Sequence, residues 1–151
     1  MNILKPVSEI MTTNLITVHP KDSLYRLKEI FDEHKIHHIP VVEFKKLVGL
    51  ISKTDLLYFI KGAKHVGASE KLQNAMRLTQ HRVEDLMTTQ LAVLEPQDTI
   101  RTALEVFKAN LFHALPIVEA QELLGIVTTY DLLDFFSKET ITLSDYETMN
   151  V

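Results

Sequence analysis

Gly49-Leu50-Ile51-Ser52-Lys53-Thr54-Asp55 returns later in the chain as Gly125-Ile126-Val127-Thr128-Thr129-Tyr130-Asp131, each residue 76 positions on (131 − 55). Both copies run glycine, two β-formers, a hydroxyl residue, two variable positions and an aspartate. The punctuation residues keep the same offset. Of five prolines, Pro20 matches Pro96 and Pro40 matches Pro116, leaving Pro6 alone; of four glycines, Gly49 matches Gly125, while Gly62 and Gly67 lie between the copies. Prolines and glycines mark fixed backbone geometry, so an ungapped match of this kind means one folding unit written twice. Met11/Met87, Thr12/Thr88, Thr13/Thr89, Asp22/Asp98, Phe31/Phe107, His37/His113, Val42/Val118 and Leu56/Leu132 are identical across it.

Within one unit, Leu15-Ile16-Thr17-Val18 is a short β-rich run closed by Pro20. Asp22 or Ser23 offers an N-cap to a helix with the apolar face Leu24, Leu27, Ile30 and Phe31, which the second copy keeps as Ile100, Ala103, Leu104, Phe107 and Leu111. His38–Val42 and Leu47–Ile51, two apolar runs four residues apart, read as a hairpin. A second helix starts near Ser52 and carries Leu56, Leu57 and Ile60. The expected fold class is therefore α+β, two β-α-β-β-α repeats, neither with enough strands to bury a sheet alone, so that they pack together about a pseudo-two-fold axis. The organisation follows as repeat 1 over 7–61, a linker over 62–82, repeat 2 over 83–136 and a polar tail over 137–151. The linker predicts an extra helix after Ser69, with Leu72, Ala75, Met76 and Thr79 at helical spacing. The tail scatters Ile141, Leu143, Tyr146 and Met149 among polar residues.

Bulk properties narrow the function. A chain of 151 residues buries roughly 68–70% of the surface its unfolded form exposes and needs no covalent staples. Its 46% hydrophobic and 24% charged residues are ordinary for a globular protein. The net charge of −4 argues against nucleic acid as a partner. With no cysteine, thiolate catalysis, iron–sulfur clusters and disulfides are excluded. Met1–Pro6 carries neither a basic n-region nor an apolar h-region, and no apolar run approaches the roughly 18 residues of a membrane span. The expectation is a cytoplasmic protein with no membrane partner.

The tandem unit, the head Val7-Ser8-Glu9-Ile10-Met11-Thr12-Thr13, the centre Ile36-His37-His38-Ile39-Pro40-Val41-Val42 and the Gly-x-x-(Ser/Thr)-x-x-Asp close together resemble the CBS domain pair, or Bateman module. That family is named for cystathionine β-synthase and includes regulatory parts of IMP dehydrogenase and of the AMP-activated kinase. The resemblance spans about residues 7–57 and 83–133. It implies a sensor rather than an enzyme, with adenosine-containing ligands (AMP, ADP, ATP or S-adenosylmethionine) held in two clefts between the repeats. It also implies a flat homodimer formed through helices and, with no effector domain in the chain, a separate target protein. Carried over, one cleft uses Ser52, Thr54 and Asp55 with Ala92, Phe112, His113, Ala114 and Pro116. Its partner uses Thr128, Tyr130 and Asp131 with Ile16, Ile36, His37, His38 and Pro40. Ile16, Ile39, Ala92 and Leu115 would form an apolar slot for adenine. Two features depart from the family's pattern. The hairpin turns lack Asp-Gly, and no arginine stands beside the second His-x-x-Pro, where some members hold phosphates.

The residue chemistry supports more than one reading. An ionised aspartate accepts two hydrogen bonds at once, which suits the adjacent hydroxyls of a ribose, and free N–H groups at a helix start welcome negative charge. Equally, Ser-x-x-Asp at a helix start is a capping box that satisfies backbone donors without any ligand. In that case the clefts stay vacant and the chain is a dimerisation module. Glu33, His34, His37 and His38 raise a third reading, a metal site, with His34 and His38 at i,i+4 spacing. Ile39-Pro40 forces extended backbone soon after, which argues against that spacing surviving. No serine or histidine has an assignable catalytic partner, and Asp55 and Asp131 fall in different clefts, unsuited to paired-carboxylate chemistry.

Overall fold

The computed structural model describes residues 2–62, 69–110 and 112–138. Gly67, Leu111 and the tail residues Ile141, Leu143, Tyr146 and Met149 lie outside the described residues. The first unit contains helix α1 (Leu24–Glu33), strands β1 (His38–Glu43) and β2 (Lys46–Ser52), and helix α2 (Lys53–Lys61). Helix α3 (Glu70–Gln80) follows in the linker. The second unit repeats the series as α4 (Ile100–Asn110), β3 (Ala114–Glu119), β4 (Glu122–Thr128) and α5 (Thr129–Lys138). Ser23 caps α1, its hydroxyl accepting from the Arg26 N–H at 3.1 Å. Asp22 instead accepts from the His19 N–H at 2.8 Å and shapes the turn before the helix.

Four strands form one antiparallel sheet in the order β1-β2-β4-β3. The inner strands meet at Lys46 and Glu122, where Leu47 donates to the Gln121 carbonyl and Leu123 to the Lys45 carbonyl, both at 3.2 Å. Those reciprocal bonds are the signature of the pseudo-two-fold relation. The leading extended run of each unit is shorter than its β-rich composition suggests. Val18 makes a single parallel bridge to Val41, and Leu94 one to Ile117. Pro20 and Pro96, two residues on, cannot continue a ladder.

Two apolar cores flank the sheet, and each takes a residue from the other unit's head. Val83 is fully buried in the first core with Leu24, Leu27, Phe31, Ile39 and Ile51. Val7 is fully buried in the second with Ile100, Leu115, Ile117 and Val127. Backbone bonds hold the exchange. Val83 donates to the Asp22 carbonyl at 2.8 Å and Val7 to the Asp98 carbonyl at 2.7 Å. The two units are thus stitched together by swapped heads as well as by the sheet.

Helix α3 forms where its pattern predicts, but the apolar stripe read from sequence faces outward. Leu72 is 65% and Met76 55% exposed, while Leu78 is buried in the first core. What orients the helix is Arg77, whose guanidinium lies 3.9 Å from the Phe59 ring centroid and donates to the Phe59 carbonyl at 2.7 Å. A stacked, hydrogen-bonded guanidinium plus one buried leucine outweighs a half-apolar stripe. Similarly, Leu57 in α2 is exposed, and Leu56 carries that helix's burial.

Candidate functional site

Each unit's hydroxyl and aspartate meet where a strand turns into a helix. Ser52 ends β2 with extended backbone and is the N-cap of α2. Its hydroxyl accepts from the Asp55 N–H at 3.0 Å, and Asp55 Oδ2 accepts from the Ser52 N–H at 3.1 Å. The capping box is complete, and such caps contribute about 0.5–2 kcal/mol. Among the described residues no donor reaches Asp55 Oδ1, so the cap engages one of the two carboxylate oxygens and leaves the other open. In the second unit Asp131 Oδ2 accepts from the Thr128 N–H at 2.6 Å and the Thr128 hydroxyl at 2.7 Å. Its Oδ1 accepts from the Thr12 hydroxyl of the other unit's head at 3.4 Å.

Asp55 borders a cavity of about 360 Å³ between the units, within the roughly 300–1,000 Å³ of small-molecule sites. The first unit contributes His38, Leu50, Ser52 and Asp55; the second contributes Thr88, Gln90, Leu91, Ala92, Phe112, His113 and Ala114. Ser52, Asp55, Ala92, Phe112, His113 and Ala114, expected in one cleft, are brought together here. Thr54 and Pro116 do not line it. Thr54 points into solvent, and Pro116 is buried in β3, its carbonyl accepting from the Leu94 N–H at 3.0 Å. Ile39 and Leu115 are fully buried in the cores, so they form no adenine slot. Leu50, Leu91, Ala92 and Phe112 supply the apolar wall instead.

His38 lines this cavity although the resemblance put it in the other cleft. It opens β1 directly opposite Ser52, and that register carries it to the Asp55 side. Burial pushes its imidazole below the ordinary value of 6.5; neighbouring His113 and His37 push the same way and Asp55 opposes them. Of the remaining residues assigned to the second cleft, Ile16 and Ile36 are half-buried against the first core. Pro40 is buried, accepting from Val18. His37 is exposed with its carbonyl accepting from the Lys53 N–H at 2.8 Å, and Tyr130 is 72% exposed.

Leu50, Thr88, Gln90 and Leu91 line the cavity although sequence reasoning assigned them to neither cleft. The available signal was the duplicated Met-Thr-Thr head, since Thr88 pairs with Leu50 through two backbone bonds of 2.9 Å and so reaches the cavity. The histidine cluster does not assemble as a metal site. α1 ends at Glu33 and His34 is already extended, which breaks the i,i+4 spacing. Among the described residues no three His, Asp or Glu converge as metal ligands.

The model of the CBS domain family matches residues 7–62 and 83–138. The chain is 26% identical over 129 residues to the CBS domain-containing protein YhcV of Bacillus subtilis, covering 85% of this chain and 84% of YhcV. It is 28% identical over 130 residues to the inosine-5′-monophosphate dehydrogenase of Korarchaeum cryptofilum, covering 85% of this chain but spanning 24% of that enzyme's length. Among solved structures, it is similar to CBSX2 in complex with AMP, with a TM-score of 0.76, 26% identity and coverage of 91% of this chain and 99% of that one. Two matches to one family model, on two units sharing a four-stranded sheet, make this chain a member of the CBS domain family, carrying its domain as a tandem pair.

Proposed function

We propose that this protein is a non-enzymatic regulatory module. It binds an adenosine-containing ligand (AMP, ADP, ATP or S-adenosylmethionine) between its two CBS repeats and relays that state to a separate partner protein. The observation that carries the reading is the cavity walled by both units, with the Asp55 carboxylate at its polar end and Leu50, Leu91, Ala92 and Phe112 along its apolar side. Asp55 takes the ribose hydroxyls and the apolar wall takes the purine. The AMP held by the similar CBSX2 supports this ligand class. Signalling follows from linkage. A ligand touching both units favours the arrangement it bridges, by as much as its differential affinity for it. In this reading the protein works as a cytoplasmic homodimer; no described helix is long and apolar enough to cross a membrane.

Thermal-shift and calorimetric titration with AMP, ATP and S-adenosylmethionine tests it. A hundredfold excess of ligand over Kd raises Tm by roughly 5–10 °C for a chain of this size, and Asp55→Ala removes the shift at its cleft. No response to any of the three at millimolar concentration rules the reading out. A second reading, a dimerisation module with vacant clefts, is favoured by the capping boxes, which are satisfied without ligand. It is favoured too by the exposed Leu57, Tyr58, Tyr130 and Leu133 on α2 and α5. It predicts a stable dimer by sedimentation together with flat titrations.

A further inference from the structure

We infer that the cavity between the units takes an adenosyl ligand whose 5′ substituent carries no phosphate, an inference that rests on the adenosyl-binding reading above. No lysine or arginine lines the cavity among the described residues, and Asp55 is its one carboxylate. The other polar groups are the Ser52 and Thr88 hydroxyls, the Gln90 amide and the imidazoles of His38 and His113. Those suit a purine edge and a ribose. An imidazole is not a fixed charge, and burial holds His38 toward its neutral form.

The start of α2, which would ordinarily welcome an anion, has three of its N–H groups committed within the protein. The Ser52 N–H bonds Asp55 Oδ2, the Asp55 N–H bonds the Ser52 hydroxyl, and the Lys53 N–H bonds the His37 carbonyl. The anion at this helix start is therefore the protein's own carboxylate. A ligand phosphate entering here meets like charge in a partly desolvated space, with no fixed cation to offset it. A nucleoside with a neutral 5′ substituent meets no such opposition and keeps both the ribose contact to Asp55 and the apolar wall.

The test is calorimetric titration of the full chain with 5′-methylthioadenosine and with AMP at about pH 7.5, where imidazoles carry little charge. Two variants accompany the wild type. Ala92→Phe fills the cavity and so identifies which binding event belongs to it. Gln90→Arg, at an exposed position, supplies the missing cation without touching a core. The expected result is 5′-methylthioadenosine binding roughly tenfold or more tightly than AMP at the event lost in Ala92→Phe. Gln90→Arg should then raise the affinity for AMP relative to that for 5′-methylthioadenosine there by roughly tenfold, whatever contact the lost amide made to the shared adenosine. AMP binding that event as tightly as the thioether, or Gln90→Arg failing to shift the ratio of the two affinities toward AMP, overturns the inference alone. Binding of neither compound overturns both it and the adenosyl-binding reading. Should Ala92→Phe not fold, the Gln90→Arg response decides the matter.

Discussion

A β-carbon built on Gly49 would lie 2.6 Å from Met87 Sδ, so the glycine of one repeat is the seat for the methionine at the head of the other. The relation is reciprocal, since a β-carbon on Gly125 would meet Met11 Sδ at 2.7 Å and the Thr12 carbonyl oxygen at 3.0 Å. The duplicated glycines are thus contacts between units. They let each head lie flat across the neighbouring strand, where Leu50 pairs with Thr88 and Ile126 with Thr12.

Gly49→Ala should destabilise the protein by about 1–3 kcal/mol through overpacking. Met87→Ala in the same chain should recover part of that loss, because the clash is with the methionine side chain. Gly125→Ala should be costlier and less rescued by Met11→Ala, because a backbone oxygen cannot be trimmed away. Urea denaturation of the four single and two double variants supplies the coupling energies. Additive effects at Gly49 and Met87 would show that the close approach does not matter.

The hairpin tips carry a removable strain. Phe44 and Lys45 both have positive φ, 49° and 64°, as do Ala120 and Gln121 at the symmetric turn, and Phe44 is 92% exposed. Left-handed backbone costs an L-residue about 1–2 kcal/mol, and two-residue hairpin loops of this hand favour Asn-Gly. Replacing Phe44-Lys45 by Asn-Gly should therefore raise stability by about 1–2 kcal/mol. An unchanged urea midpoint would mean that the wild-type turn bears no such cost.

His38 should make stability depend on pH. Its folded value lies below the ordinary 6.5. Below pH 6.5 the unfolded chain therefore binds the proton more readily than the native one. The contribution of this group is constant above 6.5, declines as pH falls beneath it, and levels off below the folded value. His38→Gln should flatten that decline below the ordinary imidazole value of about 6.5 in urea melts. A slope identical to wild type would assign the dependence to other groups.

Val7 should matter most to the half of the molecule that does not contain it in sequence. It is fully buried among Ile100, Leu115 and Val127. Val7→Ala should cost about 1.5–3 kcal/mol. If the second core can open by itself, native-state hydrogen exchange should show lost protection in α4 and β3 before α1 and β1. Loss centred on α1 would contradict the exchanged-head packing.

The α-helix and hairpin order was readable from residue pattern alone, because Leu24, Leu27, Ile30 and Phe31 repeat at helical spacing and the prolines and glycines recur at one offset. The capping residues were readable for the same reason: Ser52 and Asp55 act on backbone within three residues of themselves. Thr88, Gln90 and Leu91 were not. They reach the cavity through a pairing with β2 that joins residues 38 positions apart (88 − 50), and no local periodicity encodes such a contact. Ile39 and Leu115 failed as a ligand slot for a related reason, since composition does not tell which face of a strand meets a core.

Sequence by itself determined that one unit occurs twice, what elements it holds, and where the two carboxylates sit at their helix starts, because these depend on short-range backbone chemistry and on exact duplication. Tertiary structure alone decided that the heads cross to the opposite core, that His38 joins Asp55 and His113 around one cavity, and that α3 turns its apolar stripe outward. Those outcomes depend on strand register and on competition between distant side chains for the same buried volume, which are settled only when the whole chain packs.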